Sequence, residues 1–165
     1  LEFRRVLFRS ASMPFGMMQL SPDTRLEGWD GCGGYHYSDS VIYGFSHTHL
    51  SGTGIADYCD ILLMPFTGNV KWKNSEYASS FSHKNEKASA GYYEVLLDKH
   101  NINVALTTSL RSGMHDYTFA STGEGKVLLD LKHRDEVLES SLEIVNEFKP
   151  TDTTVEPEGI PTPDT

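Results

Sequence analysis

The residues best suited to chemistry lie in one stretch, from Asp23 to Asp60. This stretch holds both cysteines, one of the two tryptophans and three of the seven histidines of the chain. Its glycines let the backbone turn tightly and approach a ligand closely. Trp and Tyr supply flat faces with a polar tip, and Asp, Arg, Ser and His supply directed hydrogen bonds. These are the materials of a polar ligand site, and a sugar needs both flat faces and many hydrogen bonds.

Arg25, Trp29 and Asp30 follow Asp23 within one short segment. A guanidinium and a carboxylate can each bind two neighbouring hydroxyls, and an indole can stack on a sugar ring. These three residues are able to form one polar and aromatic substrate-binding surface near the turn at Gly31–Gly34. From the residues alone, the favoured interpretation is instead a salt bridge within the loop, with Trp29 packed over it as a lid.

Tyr35, His47 and His49 complete the set of candidate substrate-binding residues. Tyr35 and Tyr37 share one face of an extended chain, which suits a sugar platform or equally the packing of a sandwich. The spacing of His47 and His49 places two imidazoles on one side of a strand, as in some metal sites, but it shows no third ligand. A structural or sugar-facing role is therefore preferred for this pair, and no metal ligand is assigned.

Composition and charge argue against several classes of function. The chain has 165 residues and a formal net charge of -9, which disfavours nucleic acid and anionic membranes as partners. No apolar run approaches the roughly 20 residues that a membrane helix requires. Ser51–Gly54 lacks the glycine spacing of nucleotide-binding loops. Two cysteines, Cys32 and Cys59, do not make a disulfide framework, and they either pair or stay free.

The elements that must position these residues are short strands separated by turns, a pattern typical of an antiparallel β-sandwich with little helix. Ser21–Thr24 has turn composition, and Pro65 is expected to end a strand. Arg134–Glu147 fits both a helix and a strand. The predicted strands are Met13–Leu20, Val41–Phe45, Ile61–Met64, Gly91–Leu97, Asn101–Leu110, Gly113–Phe119 and Lys126–Leu131, with Val70–Trp72 and Ala78–His83 as weaker candidates.

Composition divides the chain into three segments. Residues 1–10, LEFRRVLFRS, are rich in arginine, unlike the acidic remainder of the chain, and are interpreted as a non-native or disordered leader, with a flexible native N-terminus as the alternative. Residues 11–149 form the sandwich domain. Residues 150–165 combine four prolines with four acidic residues and no basic one, which predicts a disordered tail.

Several unusual motifs occur in an order that resembles a known family. The run GWDGCGGYHYSD, then IYGFSHTHLSGTG and DYCDILLMP, is similar to the N-terminal part of glycoside hydrolase family 92, the calcium-dependent exo-acting α-mannosidases. The resemblance extends from about Met13 to about Phe148 and includes PFGMMQLSPDTR near its start. It implies the N-terminal β-sandwich of such an enzyme, in an incomplete form, with the tryptophan loop beside the terminal-mannose site. The resemblance therefore favours the substrate-binding surface of Arg25, Trp29 and Asp30 over the salt bridge. It also favours a strand at Arg134–Glu147, because the sandwich of the family continues there.

The resemblance also implies a division of labour. In the family, the general acid, the general base and the calcium site belong chiefly to a helical barrel that lies C-terminal to the sandwich. We therefore expect this chain to supply sugar contacts but no catalytic residue, and to bind no calcium by itself. Its expected partners are mannose-containing glycans and that barrel, in a secreted, periplasmic or cell-surface protein. The alternatives are a free-standing carbohydrate-binding module, and a structural or interaction domain with a decayed site.

Overall fold

The computed structural model describes residues 10–27, 31, 33–50, 55, 57–120, 124–134, 137–141 and 143. Of these residues, 44% are in strands and 6% in helices, and every strand pair among them is antiparallel, so the predicted mostly β, antiparallel fold is confirmed. The strands are β1 (Ala11–Ser12), β2 (Gln19–Asp23), β3 (Val41–Ile42), β4 (Gly44–Ser46), β5 (Leu62–Thr67), β6 (Ser79–Ser80), β7 (Glu86–Ser89), β8 (Tyr92–Leu97), β9 (Ile102–Thr108), β10 (Gly113–Phe119) and β11 (Gly125–Asp130).

Two larger sheets form the sandwich. One has the strand order β1-β2-β4-β5-β11, the other has the order β10-β9-β8-β7, and β3 pairs with β6 in a small third sheet. Alternation along β9 buries Ile102, Val104 and Leu106 completely, while the residues between them are partly exposed. Burying such a side chain contributes about 1.5–3 kcal/mol. The same alternation along β8 buries Tyr93 and Val95, and together these strands form the centre of the core.

Two strands run through prolines that were expected to mark a turn or an end. Pro22 lies within β2, so the predicted turn at Ser21–Thr24 is wrong, and Pro65 lies within β5, so the predicted strand end is also wrong. The reason is the same in both places. β1 pairs with β2 only at positions 19 and 20, and β4 pairs with β5 only at Leu63, so each proline has a neighbouring strand on one side alone. A proline is tolerated where one side of a strand is open.

The two weaker strand predictions had different outcomes. Val70–Trp72 contains no strand, and Ala78–His83 contains only β6. A four-residue helix, α1 (Asn74–Tyr77), and a 3-10 helix at His83–Asn85 lie near them. The described residues 134, 137–141 and 143 show no strand, although a strand was favoured there. The leader through residue 9 and the tail from residue 150 lie outside the described residues.

In the described part of the chain, no helix is long and apolar enough to span a membrane.

Candidate functional site

The candidate site begins where β2 ends, at a buried carboxylate. Asp23 is fully buried, and the hydroxyl of Ser46 on β4 donates a hydrogen bond of 2.7 Å to its Oδ2. Nε2 of His49 lies 3.2 Å from Oδ1, and Nε2 of His133 lies 2.8 Å from Oδ2. Four polar residues from distant parts of the sequence therefore meet inside the domain, and we call Asp23, Ser46, His49 and His133 the buried polar cluster.

The charges of the buried polar cluster are set by these distances. Burial by itself would raise the pKa of Asp23, but the nearby nitrogens of His133 and His49 outweigh it and hold the pKa well below its usual range. Burial by itself would lower the pKa of His49, but Asp23 and the thiol of Cys59 outweigh it and raise the pKa to about 10. At neutral pH the cluster therefore contains a carboxylate paired with an imidazolium. Such a carboxylate is not a proton donor at neutral pH.

The glycine-rich loop after β2 closes directly over the buried polar cluster. Gly34 has a φ of +85°, a conformation that L side chains rarely adopt, and a Cβ at this position would lie 2.1 Å from Oδ1 of Asp23. Its carbonyl oxygen accepts a hydrogen bond of 2.7 Å from the backbone N–H of Thr24. Only a glycine therefore allows the backbone to rest on the carboxylate at this point, and we call the described residues 24–27, 31, 33 and 34 the site loop.

Arg25, one of the predicted substrate-binding residues, is held at the edge of the site loop by an ion pair. Its Nε donates a hydrogen bond of 3.0 Å to Oδ2 of Asp39, and its Nη2 donates one of 3.1 Å to Oδ1. The hydroxyl of Thr24 donates a further hydrogen bond of 2.9 Å to Oδ2 of Asp39. The side chain of Arg25 also lies against Gly31, and it remains 24% exposed. Arg25 therefore forms a salt bridge with Asp39, which lies outside the segment considered in the sequence. The salt bridge within the loop remains a prediction, since Asp30 lies outside the described residues.

Arg134 fastens the other side of the site loop. Its Nη1 donates a hydrogen bond of 3.0 Å to the carbonyl oxygen of Leu26, and its Nη2 donates one of 3.3 Å to that of Gly31. Because these carbonyls lie more than 100 positions earlier in the chain, the contact joins the segment after β11 to the beginning of the domain. The loop is thus supported from beneath by Asp23 and held from the side by Arg134.

Tyr35 contacts Glu86 directly, whereas Tyr37 is connected to it through His83. The hydroxyl of Tyr35 donates a hydrogen bond of 3.3 Å to Oε2 of Glu86, and the Tyr35 side chain packs against the core. Tyr37 stacks on His83 with a centroid distance of 4.2 Å, and it is 39% exposed. Nδ1 of His83 lies 2.7 Å from Oε2 of Glu86. Of the two tyrosines, Tyr37 is the one with its ring at the surface.

His47 and His49 contact different partners, so they do not act as a pair. Nδ1 of His47 donates a hydrogen bond of 2.6 Å to the carbonyl oxygen of Ile61, and its ring lies 4.9 Å from that of His115. Burial lowers the pKa of His47, and it lowers the pKa of His115 to about 3. His49 instead lies inside the buried polar cluster, where its Nδ1 donates a hydrogen bond of 2.9 Å to the carbonyl oxygen of Gln19.

The predicted sugar surface therefore has one described member, Arg25. Trp29 and Asp30 lie outside the described residues, as does Cys32, so their roles remain predictions. Sequence reasoning did not select Asp39, His133 or Arg134, and no local motif marks them. These three acquire their contacts only when distant segments meet. Cys59, considered in the sequence only for its pairing, is free and buried, and its sulfur lies near His49.

Comparison with known proteins places the chain among the glycoside hydrolases. The family model described as the glycosyl hydrolase family 92 N-terminal domain matches residues 5–156. The chain therefore belongs to glycoside hydrolase family 92, as the sequence motifs indicated. A search of curated proteins gave no significant match.

Solved structures agree with this assignment. A family 92 α-mannosidase from Bacteroides thetaiotaomicron shares 38% identity and a TM-score of 0.71, over 76% of this chain and 18% of that protein. A family 92 glycosyl hydrolase shares 29% identity and a TM-score of 0.66, over 74% and 18%. A family 92 inverting mannosidase from Bacteroides thetaiotaomicron VPI-5482 shares 31% identity and a TM-score of 0.64, over 74% and 16%. The chain thus spans less than a fifth of the length of these relatives.

Proposed function

We propose that this chain is the sugar-contacting N-terminal domain of an α-mannosidase that removes terminal α-mannose with inversion, and that it performs no hydrolysis by itself. Two of the solved relatives are described as mannosidases, one of them as inverting, and the α-mannosidase was also solved in complex with mannoimidazole. The observation that carries the proposal is the site loop, which is glycine-rich, anchored at both sides and flanked by the partly exposed Arg25.

Anchoring is the property that a sugar subsite requires. A hydrogen bond from protein to a sugar hydroxyl replaces one from water, so its net contribution is only about 0.5–1.5 kcal/mol. A loop that had to become ordered on binding would lose much of this gain to entropy. The contacts of Asp23 below the site loop and of Arg134 beside it order the loop in advance. Arg25 is likewise held by Asp39, so the direction of its guanidinium is fixed.

Three described carboxylates near the site loop, those of Asp23, Asp39 and Glu86, are unsuited to the chemical step. Inversion requires a general acid and a general base about 6.5–9.5 Å apart on opposite sides of the sugar. Asp23 is fully buried, and Asp39 is engaged by Arg25. Glu86 is buried, and it accepts hydrogen bonds from Tyr35 and Tyr93. We therefore propose that the acid and the base lie outside this chain.

The calcium that the family implies is also expected to lie outside this chain, as are the catalytic acid and base. Calcium takes six to eight oxygen ligands. The described residues contain one grouping suited to a metal, in which Asp23, His49 and Cys59 offer one oxygen, one nitrogen and one sulfur. This donor set does not suit calcium. We propose that any calcium required for activity is held by another part of the enzyme.

The proposal is tested by following mannose release from an α-mannobiose with the purified chain and added calcium. The expected result is no release above the buffer blank. Release that disappears in the variant Asp30→Ala would place a catalytic carboxylate in this chain and contradict the proposed division. A thermal melt with mannose provides a second measurement, since a free-standing carbohydrate-binding module would be clearly stabilised by the sugar, whereas an isolated half-subsite would not.

A further inference from the structure

We propose that Asp23, His49 and Cys59 form a zinc-binding site beneath the site loop. The oxygen, nitrogen and sulfur atoms of these three residues all lie within 4.8 Å of one another. In a tetrahedral zinc site with bonds of about 2.0–2.3 Å, neighbouring ligand atoms lie about 3.3–3.8 Å apart. Oδ1 of Asp23 and Nε2 of His49 are 3.2 Å apart, which corresponds to one edge of such a tetrahedron.

The orientation of His49 is the one that a metal ligand needs. Its Nδ1 lies 2.9 Å from the backbone carbonyl oxygen of Gln19, to which it donates, and its Nε2 is therefore directed into the cluster. Histidines that bind metals almost always donate their second N–H to a carbonyl or a carboxylate in this way. The hydroxyl of Ser46, at 2.7 Å from Oδ2 of Asp23, supports the carboxylate in the same manner.

His133 lies beside these three ligands and supports the carboxylate among them. Its side chain is 1% exposed, and its Nε2 lies 2.8 Å from Oδ2 of Asp23. Carboxylates that bind metals are in turn held by neighbouring polar groups. His133 would therefore position Asp23 as a ligand from outside the zinc site.

The charges balance when the metal is zinc. A carboxylate from Asp23 and a thiolate from Cys59 would together neutralise Zn²⁺, while His49 would bind as a neutral imidazole. Because zinc ligands must be deprotonated, the affinity for the metal falls as the pH falls. Calcium would not compete, because it prefers oxygen ligands.

Such a zinc would join parts of the chain that are far apart in sequence. Asp23 ends β2, whereas His49 and Cys59 lie beyond β4, where His49 pairs with Tyr58 in an antiparallel bridge. The bound ion would lie directly below Gly34, whose backbone rests on Asp23. Because the ion binds the folded state alone, it would stabilise the domain and hold the base of the site loop. This inference does not depend on the mannosidase proposal, and either can fail without the other.

The test uses the purified 165-residue chain, stripped of metal with a chelator and then titrated with Zn²⁺ against a chromogenic competitor. We expect one equivalent to bind, with a rise in melting temperature that an equal concentration of Ca²⁺ does not produce. Substitution by Co²⁺ is expected to give the intense tetrahedral and thiolate-to-cobalt absorption bands of a cysteine-containing site. Absence of a bound equivalent, or a Co²⁺ spectrum without a thiolate band, overturns the proposal in the unmodified protein.

Variants identify the ligands. Cys59→Ser is expected to remove the thiolate band, whereas the matched variant Cys32→Ser retains it. Loss of a group that only supports a ligand weakens metal binding by about 10–100-fold. His49→Gln is expected to weaken Zn²⁺ binding by more than this, whereas His47→Gln leaves it unchanged. Circular dichroism of each stripped variant shows whether the fold survives. Loss of the band in Cys32→Ser but not in Cys59→Ser would contradict the assigned ligand set.

Discussion

Replacement of Gly34 by alanine tests whether the site loop rests on the buried carboxylate. The added Cβ would lie 2.1 Å from Oδ1 of Asp23 and 3.2 Å from Nε2 of His49. Neither atom can move freely, because the two side chains are fully buried and contact each other. The substitution also places an alanine at a φ of +85°. Two separate costs therefore add, one from the backbone and one from the contact.

Gly68 separates these costs because it has the same φ of +85° but nothing within 4 Å of its Cβ position. Gly68→Ala should therefore show the backbone cost alone, which is about 1–2 kcal/mol for an L-residue in the left-handed region. Gly34→Ala should show the same cost plus that of overpacking, about 1–3 kcal/mol. We expect Gly34→Ala to be the more destabilising of the two by at least about 1 kcal/mol, given the overpacking range.

The assay is urea unfolding of the two variants and the parent, monitored by circular dichroism. The free energy of unfolding is compared at equal slopes, since a changed slope would signal an altered unfolded state. Equal destabilisation by Gly34→Ala and Gly68→Ala would refute the reasoning. It would mean that the loop can lift away from Asp23 at no cost, and that the buried polar cluster does not support the site.

Three further outcomes are expected from the charges. Asp23→Asn should lower the free energy of urea unfolding, measured with a chelator present, by about 3–5 kcal/mol, because it leaves the His49 imidazolium buried without a counter-ion. A decrease below about 1 kcal/mol would contradict the ion pair. A double-mutant cycle of Arg25→Gln and Asp39→Asn should give a coupling energy of about 0.5–3 kcal/mol, and additive effects would show that the two are independent. Burial, and then the nearby charge of His47, lower the pKa of His115 from 6.5 to about 3, so the folded state favours neutral His115. The free energy of unfolding of the domain should therefore fall as the pH drops from 6.5 towards 3. The loss is at most about 5 kcal/mol, at about 1.4 kcal/mol per pH unit. His115→Gln should flatten this pH dependence, and an unchanged slope would show that His115 does not cause it.

The sequence predicted those elements whose signal is local. β9 and β10 were found because their apolar and polar residues alternate within each strand, and this alternation does not depend on the rest of the fold. β7, with the sequence EKAS, was missed because it is short and three of its four residues are exposed. Whether Pro22 and Pro65 end strands depends on which neighbours pair with them, and pairing is a long-range property.

The candidate functional site was likewise predictable only where its signal is local in the sequence. The glycines and aromatic residues of the loop were recognisable because they are adjacent in the chain. His133 and Arg134 could not be found, because their partners lie about 100 positions earlier. The pairing of His47 with His49 assumed one continuous strand, but β4 ends at Ser46, and the two side chains then turn to different partners. Patterns of spacing hold only while the secondary structure they assume continues.

The measurement that tests the proposed function most directly is a domain exchange. Residues 11–149 of this chain would replace the matching N-terminal region of the Bacteroides thetaiotaomicron α-mannosidase that is 38% identical. We expect the folded hybrid to release mannose from an α-mannobiose, and Arg25→Ala or Trp29→Ala to reduce that release, while the 165-residue chain alone remains inactive. A folded hybrid that releases no mannose, or one whose activity is unaffected by both substitutions, would contradict the proposal that this domain contacts the sugar.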